Sequence, residues 1–193
     1  MMRVVVPLLL IVLAAPLPAS AMKDSFPGEI KFMQRLGSEE RLAYFGIQYS
    51  MNKHQRKAFL SIPEAAERAA WLERFWIERD PSPATPENER KIEHEKRVAL
   101  ARKLFGMKKA PGWDKRGEML IRYGLPTDRT QTWGSVGFYA MTPPGEIWYY
   151  ESLDMIVQFQ NTNLKGEYFF ASDPVGRSSR RERTTWMRSS MDG

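Results

Sequence analysis

The chain changes its periodicity once, at Gly124-Leu125-Pro126, and that change constrains the fold more than any other feature. Ahead of it, apolar residues recur every three or four positions, the spacing that lines one face of a helix. Beyond it they alternate. Met155, Val157 and Phe159 fall on one side of an extended segment, and Gln158 and Gln160 on the other. Helices gathered first and strands gathered last describe an α+β fold, with N-terminal helices packed on a small C-terminal antiparallel β-sheet, a meander. The helical part is expected over residues 38–124 and the β part over 130–171.

Local signals divide these two parts further. A short helix ending near Gly37 is followed by Ser38-Glu39-Glu40, a helix start with acids where the dipole favours them. Asn52 caps the next helix, which carries Phe59 and Leu60. Pro63 suits a first helical position, and Ala65, Ala69, Leu72 and Trp76, widened by Phe75, form an inward stripe. Glu67, Arg68, Arg74 and Glu78 then face water. Asp80-Pro81-Ser82-Pro83 ends that helix, because proline cannot continue the hydrogen-bond ladder. Thr85-Pro86-Glu87 reads as the cap and first turn of a long helix to Phe105, with Ile92, Val98, Ala101 and Phe105 inward and Gly106 as its end. Asp114 opens a short helix that closes on Gly124, with Met119, Leu120 and Tyr123 inward, although a strand would also tolerate Met119-Leu120-Ile121. Strands are expected over 130–140, interrupted by Gly134 and Gly137, then over 146–151, 154–160 and 166–171, with a tight hairpin at Ser152-Leu153.

The N-terminal segment decides the compartment. Arg3 precedes an apolar run over residues 4–15, and Pro16-Leu17-Pro18-Ala19-Ser20-Ala21 follows. A positive start, a greasy middle and a small-x-small ending describe a secretory signal peptide over residues 1–21, cleaved ahead of Met22. Twelve apolar residues fall short of the ~20 needed to span a bilayer. The chain has no cysteine, so no disulfide staples the fold and no lipoprotein anchor can form. The expected location is periplasmic or secreted. Residues 22–173 form one expected domain, carrying 23 basic against 21 acidic residues. The Ser- and Arg-rich segment 174–193 is expected to be a disordered basic tail. A nearly balanced body argues against nucleic acid as a partner. Arg177, Arg180, Arg181 and Arg183 suit weak contact with an anionic membrane.

Catalytic chemistry finds no signature. There is no nucleophile elbow, no phosphate-cradling glycine loop and no cofactor motif. The pair of histidines, His54 and His94, with no cysteine, offers no metal-ligand spacing; in Glu93-His94-Glu95 the three side chains point in different directions on a helix. No catalytic, metal or cofactor residue is assigned. Trp76, Trp113 and Trp148 read as core, while Trp133, among glycine and polar residues, reads as exposed. Asp80 is expected to order its loop and to pair with Arg79 unless Arg79 reaches a neighbouring helix.

Two blocks carry a resemblance. The first holds Phe75-Trp76, Arg79-Asp80-Pro81, Pro83, Thr85-Pro86 and Asn88-Glu89. The second holds Gly112-Trp113, Arg116-Gly117, Tyr123-Gly124 and Pro126, followed by Glu146-Ile147-Trp148-Tyr149-Tyr150. In this order they resemble the GWxTD domain family of exported bacterial proteins, over roughly residues 38–171. The resemblance implies a fold and an exported location rather than an activity. The family's Gly-Trp-x-Thr-Asp-Arg-Gly is one residue shorter here, Gly112-Trp113-Asp114-Lys115-Arg116-Gly117, and lacks the Thr-Asp pair; Asp114 is left as the helix cap. The second half is also similar in architecture to small outer-membrane assembly lipoproteins, which are non-catalytic adaptors. The interaction and motif residues singled out are thus Trp76, Arg79, Asp80, Asn88, Glu89, Trp113, Asp114, Arg116, Tyr123, Trp133 and Trp148. The expected function is a non-catalytic module binding protein or a cell-envelope component. The alternative is an envelope hydrolase using paired carboxylates.

Overall fold

The computed structural model describes residues 28–136, 141–171 and 175–176. The expected signal peptide and residues 177–193 lie outside them. Six helices are described: α1 (Glu29–Met33), α2 (Ser38–Ile47), α3 (Lys53–Ser61), α4 (Ala65–Ile77), α5 (Glu89–Phe105) and α6 (Lys115–Tyr123). Seven strands follow: β1 (Asp128–Thr132), β2 (Ser135–Val136), β3 (Met141–Thr142), β4 (Gly145–Tyr150), β5 (Met155–Gln160), β6 (Phe169–Phe170) and β7 (Val175–Gly176). The α+β order is as the periodicity predicts. The chain divides into two compact units, one ending at Arg68 and one beginning at Ala69.

In the first unit, α3 starts where its sequence says. The Asn52 carboxamide accepts from Gln55 N–H at 2.9 Å, and Gln55 Oε1 accepts from Asn52 N–H at 3.0 Å, a reciprocal cap. Tyr44 of α2 stacks on Phe59 of α3, their ring centres 5.8 Å apart, and donates its hydroxyl proton to buried Glu29 at 2.6 Å. Burial, with that carboxylate alongside, pushes the Tyr44 hydroxyl far above the ordinary phenol range. Arg68 corrects the expected pattern. It is buried, while Ala65 and Ala69 are exposed. Its guanidinium forks onto Glu40 at 2.8 and 3.0 Å and donates to the carbonyls of Ile62 and Pro63. A cation with that many partners can leave water, which an apolar stripe does not anticipate.

In the second unit the main sheet runs β1-β4-β5-β6, antiparallel throughout. β7 pairs with β5 at Met155 and Ile156, along the same edge that β6 occupies at Phe159 and Gln160. Residues of β5 alternate in burial, with Met155, Val157 and Phe159 inside. The β4–β5 connection is a 3₁₀ turn, Glu151–Leu153, closed by Asp154 in the left-handed region at φ 46°. β6 is shorter than expected. Gly166 at φ +81° still belongs to the preceding turn, so only Phe169 and Phe170 join the ladder. β2 and β3 continue the β1–β4 pairing in the same register, Thr132 opposite Gly145 and Ser135 opposite Thr142. Pro143, at a position turned toward the β1 side and with no N–H to donate, interrupts it. The core joins α5 and α6 to the sheet through Phe105, Trp113, Met119, Leu120, Trp148 and Phe159. Tyr123 does not go inward as expected. It is 42% exposed and meets the Tyr150 ring edge-on.

Candidate functional site

The second sequence block assembles into one buried ionic cluster. It begins at Asp114, which caps α6: its Oδ1 accepts from the backbone N–H of Arg116 at 2.9 Å and of Gly117 at 3.4 Å. Its Oδ2 accepts from the Tyr168 N–H at 3.2 Å, tying the helix start to the segment leading into β6. The shortened motif therefore keeps a cap with Asp114 alone. Gly117 is required for a different reason. A β-carbon there would lie 2.6 Å from the Trp113 β-carbon, and Trp113 is itself buried.

Arg116 then links helix to sheet. Its Nη2 donates to Asp114 Oδ2 at 2.7 Å and its Nη1 to Glu146 Oε1, also at 2.7 Å. Glu146 sits on β4, two residues before Trp148, so both point to the helix side of the sheet. The Glu146 side chain is only 1% exposed. Besides Arg116, Oε1 accepts from Arg129 Nη2 at 2.9 Å, and Oε2 accepts from Arg129 Nε at 2.8 Å and Trp148 Nε1 at 2.9 Å. Aromatic rings enclose the cations. The Arg116 guanidinium lies 3.6 Å from the Tyr168 ring centre and 4.7 Å from that of Phe105, and Arg129 lies over Phe105 and Trp148.

The electrostatics follow from this inventory. Two carboxylates face two guanidiniums, so the cluster is neutral overall. A carboxylate offers about four acceptor positions, and Glu146 fills them with four N–H donors. Burial acts to raise the Glu146 carboxyl, but the bonds from Arg129 and Trp148 and the charge of Arg116 outweigh it and hold it below the ordinary carboxylate range. Burial likewise acts to lower Arg116, and the bond and charge of Asp114, then of Glu146, more than reverse that. Both groups are ionised at neutral pH and occupied. A general base needs an open lone pair and a pKa near the working pH; Glu146 has neither.

The first block lies elsewhere. Asn88 caps α5 by accepting from the Lys91 N–H at 2.9 Å and donates its own amide to the Trp76 carbonyl at 2.6 Å, closing the end of α4. The cap is thus Asn88, not Thr85. The Thr85 hydroxyl bonds the Ser82 carbonyl and the Glu89 carboxylate instead. Asp80 orders its loop as expected, accepting from Ser82 N–H at 2.9 Å. Arg79 turns back onto its own helix, donating to the Phe75 carbonyl and stacking 3.7 Å over the Phe75 ring, rather than pairing with Asp80. Trp76 is buried beside His94, ring centres 5.2 Å apart. Burial, with Arg97 nearby, pushes the His94 imidazole down to about 4. This corner sits at the start of α5, and the ionic cluster packs against Phe105 at its end. Seventeen helical residues separate them by about 25 Å. The two blocks are two stations and do not form one site.

Trp113 and Trp148 are buried, whereas Trp133 is 85% exposed on the arm beyond β1. Sequence reasoning passed over Glu146, Arg129, Phe105 and Tyr168 as site residues. The signal for Glu146 was present in its spacing, since an acid two positions before a core tryptophan on a strand shares its face. Among the described residues, no three His, Asp or Glu side chains gather as a metal site, and no helix is long and apolar enough to cross a membrane. The basic tail, with its arginines, lies outside the described residues. Comparison with protein-family models, curated proteins and solved structures gives no match. The resemblance to the GWxTD family rests on the quoted residues alone.

Proposed function

We propose that the chain is an exported module, periplasmic or secreted, that binds a protein or another envelope component and carries out no chemistry of its own. The observation that carries this reading is the state of the buried acids. Asp114 and Glu146 are the convergent carboxylates that hydrolysis would call on, and both are filled by N–H donors and matched by Arg116 and Arg129. A catalytic pair needs its two carboxyls in environments that push their pKa values apart, with one of them open to substrate. The same groups instead fasten α6 to β4 and β1, which suits a rigid scaffold presenting its surface. Asp80, the acid of the other block, is likewise committed to its own loop.

The test joins binding to turnover. The purified chain is incubated with native envelope fractions and, in parallel, with peptide, ester and glycan substrates from acid to alkaline pH. Saturable binding without turnover is expected. Turnover that disappears in Asp80→Asn or Asp114→Asn, with the melting temperature unchanged, overturns the reading in favour of an envelope hydrolase. The mass of the exported chain checks the location: a product beginning at Met22 is expected.

A further inference from the structure

The outer edge of β1 pairs with no strand among the described residues, and its chemistry matches itself. The direction of its free groups follows from the ladder. Asn161 N–H donates to the Pro144 carbonyl at 2.9 Å, and Ala171 N–H to the Gln158 carbonyl at 2.9 Å. Hydrogen-bonded and open pairs alternate along antiparallel strands. With the register Glu146 opposite Phe159 and Gln131 opposite Glu146, β4 therefore turns Gly145, Ile147 and Tyr149 toward β1. Their partners Thr132, Thr130 and Asp128 are the β1 residues bonded inside the sheet. Arg129 and Gln131 direct their backbone N–H and C=O groups outward, and Trp133 stands at the next alternate position, just beyond the end of β1.

We infer that this edge pairs with the same edge of a second copy, antiparallel about a two-fold axis through Gln131. Under that axis Gln131 meets the other copy's Gln131, and Arg129 meets its Trp133, so the outward donors and acceptors of β1 are satisfied. Residues 129, 131 and 133 share the helix-side face, since Arg129 lies opposite Trp148 and Gln131 opposite Glu146. The single charge of this stretch stands at one end and its single aromatic at the other. Antiparallel pairing sets the part of the Arg129 side chain left exposed beside its Glu146 bonds next to the other copy's indole, with no like charges opposed. On the other face Thr130 meets Thr132. The edge is short, and its charges, Asp128 and Arg129, lie together at one end. β1 carries no lysine and no proline, and Arg129 is drawn inward by Glu146. The most exposed large apolar side chain described, Trp133, loses its solvent contact in the pair. A two-fold strand pair is self-complementary by geometry, as a symmetric dimer requires.

The test uses the full chain, produced with its own leader and purified from the compartment where it accumulates, in sedimentation velocity over a concentration series. A short edge buries little surface, so a reversible dimer in the micromolar range is expected. Gln131→Lys places two like charges directly opposite each other and should weaken association about tenfold or more. Gln131→Glu should do the same, and mixing the two variants should restore association. Trp133→Ala should weaken it with the melting temperature unchanged. A chain that stays monomeric at every concentration overturns the inference, and so does a dimer indifferent to Gln131→Lys. A monomer that still binds envelope fractions retires this inference and leaves the proposed function standing.

Discussion

Replacing Glu146 by Gln tests whether the buried carboxylate anchors the sheet. The substitution keeps shape and removes charge, but it sets an amide N–H₂ against donors from Arg116, Arg129 and Trp148. The Arg116 side chain is only 12% exposed and cannot recover full hydration. Breaking one partner out of a buried ion pair costs about 3–5 kcal/mol. For a chain of this size 1 kcal/mol moves the melting temperature by about 2–4 °C, so a fall of about 6–20 °C is expected by calorimetry at neutral pH. The pH dependence adds a second, signed check. Because the folded-state pKa of Glu146 is depressed, its contribution is fully present above the unfolded carboxylate value and is lost as pH falls through the folded one. The gap between wild type and Glu146→Gln should therefore narrow on acidification below the ordinary carboxylate pKa. A variant that melts within 1 °C of wild type at neutral pH, or a gap that widens in acid, would refute the anchoring role.

The other predictions use the same thermal assay. Gly117→Ala drives a methyl group into Trp113 and should cost about 1–3 kcal/mol. Asn88→Ala removes the α5 cap and should cost about 1–2 kcal/mol, while Asn88→Asp should recover the cap and still lose the amide bond to Trp76. His94 is neutral when folded, its pKa lowered to about 4 from the ordinary 6.5. The unfolded chain takes up its proton first, so stability should decline as pH falls from about 6.5 toward 4, and His94→Phe should flatten that slope.

What the sequence made legible was local. Asn52 and Asp114 cap helices through bonds that span two or three residues, so their text can be read directly. The alternation along β5 follows from the pleat alone. Features set by distant partners were not legible. Arg68 is buried because Glu40, 28 residues earlier, meets it. Glu146 is buried because Arg116 and Arg129 reach it from 30 and 17 residues away. The start of α5 was misplaced at Thr85 because local cap chemistry fits both positions. The bond from Asn88 to the Trp76 carbonyl, twelve residues back, distinguishes them. The aromatic content signalled a core. It did not say that Phe105 and Tyr168 would enclose a guanidinium, since that needs a helix end, a loop and a helix start brought together.

The ionised, fully bonded state of Glu146 is best measured at its own side-chain carboxyl carbon by NMR titration. A midpoint below the ordinary carboxylate range is expected, with loss of native structure setting in as that carboxyl takes up its proton. A midpoint displaced upward toward neutrality in the folded chain would instead mark a proton-transferring acid, and would contradict the claim that this cluster holds the fold together.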